Sequence, residues 1–210
     1  GRGAGGRRGG GGKRSHSDPH CGRCKQPVIF RATEQWFVAM DCAAEGVRPL
    51  REGAMEAIQK VEWIPGWSVN RISAMVGDRP DWCISRQRAW GVPIPVFSCV
   101  KCGETVANDT TFDAVIELFE REGADAWFMR EPHEYLPAGV ECPRCGGTEL
   151  KPEDDILAVW GESGVSRKSV LEARPELRRH AEIYLEGRYQ HRCWFPSNRL
   201  TSVGATVPPE

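Results

Sequence analysis

The sequence predicts an α/β chain, part of a doubly wound, Rossmann-like parallel sheet with a small inserted zinc-ribbon module. Three observations lead there. After Asp155, short apolar runs alternate with helical stretches, the strand–helix–strand–helix order that implies parallel pairing. Six of the nine cysteines fall in three Cys-x-x-Cys pairs, Cys21/Cys24, Cys99/Cys102 and Cys142/Cys145. The stretch Asp81–Phe97, DWCISRQRAWGVPIPVF, packs three aromatics, two arginines and two prolines together with no helical or strand period.

The totals narrow the class. At 210 residues the chain is one large domain or two small ones. Hydrophobic residues at 40% and charged residues at 27% are ordinary for a soluble globular protein. A formal net charge of −1 supplies no overall pull toward nucleic acid, so any such contact needs a local patch. No apolar run approaches the roughly 18 residues of a membrane span, and no charged-then-apolar leader is present. The expectation is a cytoplasmic protein without a membrane partner. An odd cysteine count argues against a secreted disulfide scaffold, and paired thiolates point to zinc in a reducing compartment.

Taken in order, residues 1–14 are Gly/Arg-rich, lack large apolar groups and are expected to be disordered; they read as an RNA-binding tail or as a mis-assigned start. Cys21-Gly22-Arg23-Cys24 makes a tight knuckle and Val28–Phe30 a strand. Two thiolates leave half a tetrahedral shell empty, so Cys21 and Cys24 are ligand-type residues without a complete site. Leu50, Ala54, Ile58 and Val61 form the core stripe of a helix over Leu50–Val61. A second helix covers Val69–Val76, with Gly77 in the stop position and Pro80 beyond. Cys83-Ile84-Ser85 reads as a short buried strand, and the prolines force Gly91–Pro95 to be extended. Arg86, Gln87 and Arg88 follow that strand, where open α/β sheets place ligand-binding groups.

Cys99/Cys102 and Cys142/Cys145, each followed by glycine, bracket an insert whose helix, Thr111–Glu122, carries Phe112, Val115, Ile116 and Phe119 on one face. Four thiolates in two knuckles make a closed structural zinc site; a redox centre would need only one pair. Beyond it, Ile156–Trp160 and Ile183–Leu185 read as strands, and Ser166–Ala173 and Gln190–Val203 as helices. Pro196 conflicts with the last of these, at a cost of about 3 kcal/mol or more inside a helix. Trp160 and the Glu186-Gly187 pair fall at strand carboxyl ends, the binding rim of a parallel sheet, although strand-end Glu and Gly are also common turn residues.

Two strings carry a resemblance. DWCISRQRAWGVPIP resembles the isoleucyl-tRNA synthetases, class I aminoacyl-tRNA synthetases; the valyl and leucyl enzymes share its Trp-x-x-Ser-Arg-Gln part. YLEGRYQHRCWF is similar to the isoleucyl stretch Tyr-Leu-Glu-Gly-x-Asp-Gln-His-Arg-Gly-Trp-Phe. The resemblance covers about residues 15–203. It implies that Glu186, Gly187, Gln190 and His191 lie near the aminoacyl-adenylate, with Trp160 and Trp194 flanking the isoleucine side chain. It implies a zinc module at Cys99, Cys102, Cys142 and Cys145. It also makes Cys21/Cys24 half of a zinc site completed by a distant upstream pair. The substrates implied are isoleucine, ATP with Mg2+, and tRNA(Ile).

On this resemblance, 15–98 is the return from the editing insert and the helical connection, 99–150 the zinc module, and 151–203 the start of the second half of the nucleotide fold. Residues 204–210 are a tail. Departures are clustered. Tyr189 replaces Asp, Arg188 and Cys193 replace small residues, and Gly161-Glu162 replaces Phe-Asp. The His-Ile-Gly-His and Lys-Met-Ser-Lys-Ser signatures that handle ATP phosphates do not occur in this sequence. The expectation is a part of a synthetase, missing its N- and C-terminal portions and inactive alone. The alternatives are a non-catalytic zinc ribbon that binds RNA or protein, and a degenerate gene product.

Overall fold

The computed structural model describes residues 17–43, 48–178 and 180–205. The predicted tail over 1–14 lies outside the described residues, as does 206–210 of the predicted 204–210 tail, whereas Gly204 and Ala205 belong to the last helix. The chain divides into two units, residues 1–34 and 35–210.

In the first unit the Cys21–Cys24 turn forms as predicted. The Cys21 amide donates to the Gln26 carbonyl (2.8 Å), the Lys25 amide to that of Cys21 (3.0 Å), and Lys25 takes φ 60°. The expected strand Val28–Phe30 is not formed. The Val28 amide donates to Pro19, and Ile29 and Phe30 run on exposed, with no ladder partner among the described residues.

The second unit contains, in chain order, β1 (Phe37–Val38), α1 (Leu50–Gln59), α2 (Ser68–Gly77), β2 (Trp82–Cys83), β3 (Ser85–Arg86), β4 (Phe97–Cys99) and β5 (Thr105–Val106). Then follow α3 (Asp109–Glu122), α4 (Ala126–Met129), α5 (Pro132–Tyr135), β6 (Leu150–Pro152), β7 (Ile156–Leu157), α6 (Val159–Gly164) and α7 (Trp194–Ala205).

Two cores organise these elements. In the first, α1, α2 and α7 close over Met40 and Trp82, burying Ala54, Ile58, Ile72, Val76 and Leu200. The α1 stripe is as predicted, except that the helix ends before Val61. Helix α2 takes in Gly77 and is capped by Asp78. The predicted Cys83–Ser85 strand is two short ones. They part at Ile84, whose amide donates to Trp36 (2.9 Å) and whose carbonyl accepts from Ala158 (2.7 Å).

The second core belongs to the cysteine module. Its antiparallel sheet, ordered β5-β4-β6, backs onto α3, α4 and α5 around Phe97, Val106, Val115, Trp127 and Leu150. The buried face of α3 is turned from the predicted one. Thr111, Ala114, Val115 and Leu118 face inward, while Phe112 and Ile116 are exposed. A capping box sets this phase. The Asn108 side chain accepts from the Thr111 amide and the Thr111 hydroxyl accepts from the Asn108 amide, both at 3.0 Å. With its hydroxyl satisfied, Thr111 can be buried.

The alternation after Asp155 is not built as a parallel sheet within the described residues. All described ladders are antiparallel, in three small sheets: β1-β2, β3-β7 and β5-β4-β6. Val159 and Trp160, predicted as the end of a strand, open α6, and the predicted Ser166–Ala173 helix is a π-helical segment, Arg167–Glu172. Ile183–Leu185 has no ladder partner among the described residues, with Ile183 80% and Leu185 88% exposed. A parallel strand needs a like-directed neighbour to receive its slanted hydrogen bonds, and no described strand offers one.

The predicted Gln190–Val203 helix is also divided. A 3-10 turn spans Arg188–His191, and α7 begins at Trp194. Pro196 therefore stands in the first turn of α7, where an amide has no intrahelical acceptor to lose. The cost predicted for a proline inside a helix therefore does not arise.

Candidate functional site

Two groups of predicted residues can be followed. The first is the cysteine cluster. Strand β4 delivers Cys99 and a tight turn follows it, closed by the Gly103 amide on the Cys99 carbonyl (2.8 Å). The second knuckle repeats the pattern, the Gly146 amide donating to the Cys142 carbonyl (2.9 Å). Gly103 at φ 70° and Gly146 at φ 66° take the left-handed conformation these turns require. The four sulfurs lie within 4.8 Å of one another, and each knuckle faces the other: Cys99 to Cys145 and Cys102 to Cys142, both 3.6 Å.

The donor set fits a tetrahedral thiophilic ion. A regular four-sulfur shell at a zinc–sulfur distance of about 2.3 Å has edges of about 3.8 Å, close to the two cross-knuckle contacts. Ionisation of the cluster is uneven. Burial works against ionising Cys99, yet the Cys102 and Lys101 amides and the Cys145 and Cys102 thiols bring it down to about 7. For Cys102 the Glu104 amide favours the thiolate, but burial and the sulfurs of Cys145, Cys142 and Cys99 push it up to about 12. Four thiolates cannot share this volume without a cation among them.

Cys21 and Cys24 make no such cluster; no third candidate ligand joins them among the described residues. The amides of Cys24 and Arg23 hold the Cys21 thiol below its ordinary range.

The second group is the predicted rim. Glu186 and Gly187 are exposed, the Gly187 amide donating to the Glu186 carboxylate (3.3 Å). Gln190 and His191 are buried and turned inward. The Gln190 side-chain oxygen accepts from the Trp194 amide (3.0 Å), so it caps α7. His191 Nδ1 lies 2.7 Å from the Arg188 carbonyl, which can only accept, so Nδ1 carries the proton; its Nε2 is buried without a partner among the described residues. The imidazole lies 6.0 Å from the Trp63 ring, 6.1 Å from Trp67 and 5.5 Å from Phe195.

Trp194 donates from Nε1 to the Ser163 carbonyl (3.0 Å) and meets Tyr184 at 5.2 Å. Trp160 is half-buried on α6 and its ring contacts no other aromatic among the described residues. The structure thus joins Gln190, His191 and Trp194 through one helix start and leaves Glu186 and Gly187 in solvent. A cavity of about 340 Å³ between α6, α7 and Trp82 is lined by none of them.

Sequence reasoning missed Trp63 and Trp67. Their signal was the Trp63-Ile-Pro-Gly-Trp67 string, two indoles flanking a Pro-Gly turn. Gly164, which the sequence places with Trp160 in the rim stretch Gly161-Glu162-Ser163-Gly164, instead packs where α6 meets α7, its carbonyl accepting from Asn198 (3.2 Å) and Thr201 (2.5 Å). Nor did sequence reasoning find Glu153, which accepts from Trp36 Nε1 on its side chain and from Trp127 Nε1 on its carbonyl, both at 2.9 Å.

Comparison with known proteins gives the family. Residues 16–207 match the model for tRNA synthetases class I (I, L, M and V). The isoleucine–tRNA ligase of Moorella thermoacetica is 53% identical over 188 residues, that of Persephonella marina 53% over 194, and that of Kosmotoga olearia 51% over 193. These alignments take in 90–92% of the chain but 20% of each relative, so the chain spans about a fifth of the length of the curated relatives it matches. No helix among the described residues is long and apolar enough to cross a membrane. The chain belongs to the class I tRNA synthetases (I, L, M and V).

Proposed function

We propose that this chain is a middle part of an isoleucine–tRNA ligase, carrying part of the amino-acid and adenylate rim and a structural zinc module. The observation that supports this most is 53% identity to isoleucine–tRNA ligases over nine-tenths of the chain. In the whole enzyme isoleucine, ATP with Mg2+ and tRNA(Ile) are the substrates, and the cytoplasm is its compartment. The isoleucine carboxylate attacks the α-phosphate of ATP and pyrophosphate leaves; a tRNA ribose hydroxyl then attacks the adenylate carbonyl, taking the acyl group and releasing AMP. The protein contributes position and electrostatic stabilisation, since the nucleophile belongs to the substrate.

On this reading Glu186 accepts hydrogen bonds from the ammonium or a ribose hydroxyl, and Gly187 lets the nucleotide lie against backbone. Gln190 and His191 hold the start of α7, and Trp160 and Trp194 wall the isoleucine side chain. Ile183–Leu185 becomes a parallel strand beside strands of the remaining synthetase. The boundaries are 15–98 for the return into the catalytic core, 99–150 for the zinc module and 151–203 for the nucleotide-fold segment. Cys99, Cys102, Cys142 and Cys145 hold the zinc; the ion ties the knuckles together and has no open position for chemistry.

Isoleucine-dependent ATP–pyrophosphate exchange tests this. The chain alone gives none. Residues 15–203 grafted into a complete isoleucyl enzyme support exchange once Tyr189 is returned to Asp, and lose it on Glu186→Ala. A reverted graft that stays inactive while folded refutes the reading. The separate core of the cysteine module favours a second reading, a zinc ribbon that binds RNA or protein without catalysis. Specific RNA or protein binding by the chain, beside an inactive reverted graft, would select it.

A further inference from the structure

We propose that Gly147 is part of the metal site, a positioning residue that fixes the Cys99–Cys145 edge of the sulfur tetrahedron. This rests on the four-cysteine zinc reading and goes beyond the cysteines themselves. Gly147 follows the second knuckle, and its carbonyl accepts the Cys142 amide at 2.8 Å, so its backbone is tied into the turn and cannot withdraw. A Cβ at this position would lie 3.2 Å from Cys99 Sγ and 3.3 Å from Cys145 Sγ. Those sulfurs come from different knuckles and are one of the two pairs that meet at 3.6 Å. A methyl group would therefore sit astride one edge of the shell.

The magnitudes decide the outcome. Ordinary contact between carbon atoms needs about 3.5–4.0 Å, and sulfur is larger than carbon, so both sulfurs would have to move by several tenths of an ångström. Metal–ligand distances at a well-formed site fall within roughly 0.2 Å of their usual values, a narrower range than that shift. Lys101 Cβ at 3.6 Å would be in ordinary contact with the methyl on a third side. Gly147 is not in the left-handed region, so alanine adds no backbone strain there, and its effect acts through the sulfurs. Gly103 is the converse. It sits at φ 70° with nothing within 4 Å of a built Cβ, so alanine there strains a knuckle without touching a sulfur.

The test uses the full chain, stripped of metal and titrated with cobalt(II) and zinc. Gly147→Ala should bind zinc about 10–100-fold more weakly, the range seen when groups supporting metal ligands are changed, and its cobalt ligand-field bands should depart from the tetrahedral pattern of the parent. Gly103→Ala should lose thermal stability and keep the parent's cobalt spectrum. A Gly147→Ala protein with no cobalt band, beside a Gly103→Ala protein that keeps it, also supports the proposal. Parent-like affinity and spectrum in Gly147→Ala overturn it, as does an equal loss in both variants. If the parent itself takes up neither cobalt nor zinc, the four-cysteine reading fails; if the parent binds and Gly147→Ala is unaltered, only the role of Gly147 fails.

Discussion

The cysteine module, Phe97–Pro152, and the run that follows it, Ile156–Ala205, differ in how they reach closure. The module closes on itself. Among the described residues its three strands pair only with one another, its knuckles face across 3.6 Å, and Phe97, Trp127 and Leu150 are buried within it. The following run depends on elements far away in sequence. Helix α7 is buried against α1 and α2, α6 packs through Gly164 on α7, and Ile183 and Leu185 remain in solvent. Chelating residues carry their partner requirement in their own spacing, whereas a parallel strand is defined by neighbours its own residues do not name. Just past the module, Glu153 accepts from Trp127 within it and from Trp36 ahead of β1.

The largest effect should come from opening the closed region. A Cys99→Ser, Cys142→Ser double variant should fall from about one zinc per chain to none, measured by elemental analysis of protein purified without added metal. Near-ultraviolet dichroism from Trp127, Phe97 and Tyr135 should fall with it, because apo forms of small metal modules are generally unfolded. The helical core around Ile58 and Leu200 should persist in far-ultraviolet dichroism. Unchanged zinc content in this variant would sink the assignment of the ligands.

The next effect lies in the other region and should be invisible to zinc. In the grafted synthetase with Tyr189 returned to Asp, Glu186→Ala should lower isoleucine-dependent exchange by roughly 10²–10³, the scale for removing one preorganised electrostatic partner. Metal content should stay at one equivalent. Equal exchange rates with and without the carboxylate would remove Glu186 from the rim.

Gly164→Ala should come third. An added Cβ would stand 2.9 Å from the Ser197 carbonyl oxygen and 3.0 Å from its carbon, both backbone atoms. Overpacking of this kind costs about 1–3 kcal/mol, which urea denaturation resolves. A variant as stable as the parent would mean that α6 and α7 separate freely, and that the second region is looser than its hydrogen bonds to Asn198 and Thr201 imply.

What was legible in the sequence follows the same division. The cysteine spacing located both knuckles, and the apolar stripes located α1, α2 and α3. The face of α3 was misread because Thr111 looks polar, while its hydroxyl is satisfied locally by Asn108. At the rim, the resemblance picked out Gln190 and His191. The inward orientation of His191 was not legible, since its ring lies against Trp63 and Trp67, more than a hundred residues earlier. Ile183–Leu185 has the composition of a strand and no described partner. The Arg188–His191 turn has no apolar period to betray it.

The smallest prediction turns on a sign. Were the helix continuous from Gln190, Pro196 would sit in its interior, and replacing it by serine would recover about 3 kcal/mol. With α7 starting at Trp194 that gain is absent. Two losses remain. Proline restricts the unfolded chain, and giving up that restriction costs about 0.4–1 kcal/mol. The pyrrolidine ring is also fully buried, so serine surrenders its packing. Pro196→Ser should therefore destabilise the chain by about 1 kcal/mol, a fall of roughly 2–4 °C in melting temperature for a protein of this size. The Gln190 cap offers a cross-check: Gln190→Ala should lower stability in the same direction by freeing the Trp194 amide. A rise in melting temperature on Pro196→Ser would mean that the helix begins earlier than Trp194 and that Pro196 is a lesion in it. A fall would count Pro196 as tolerated variation, leaving Tyr189 as the departure at the rim to be tested by reversion.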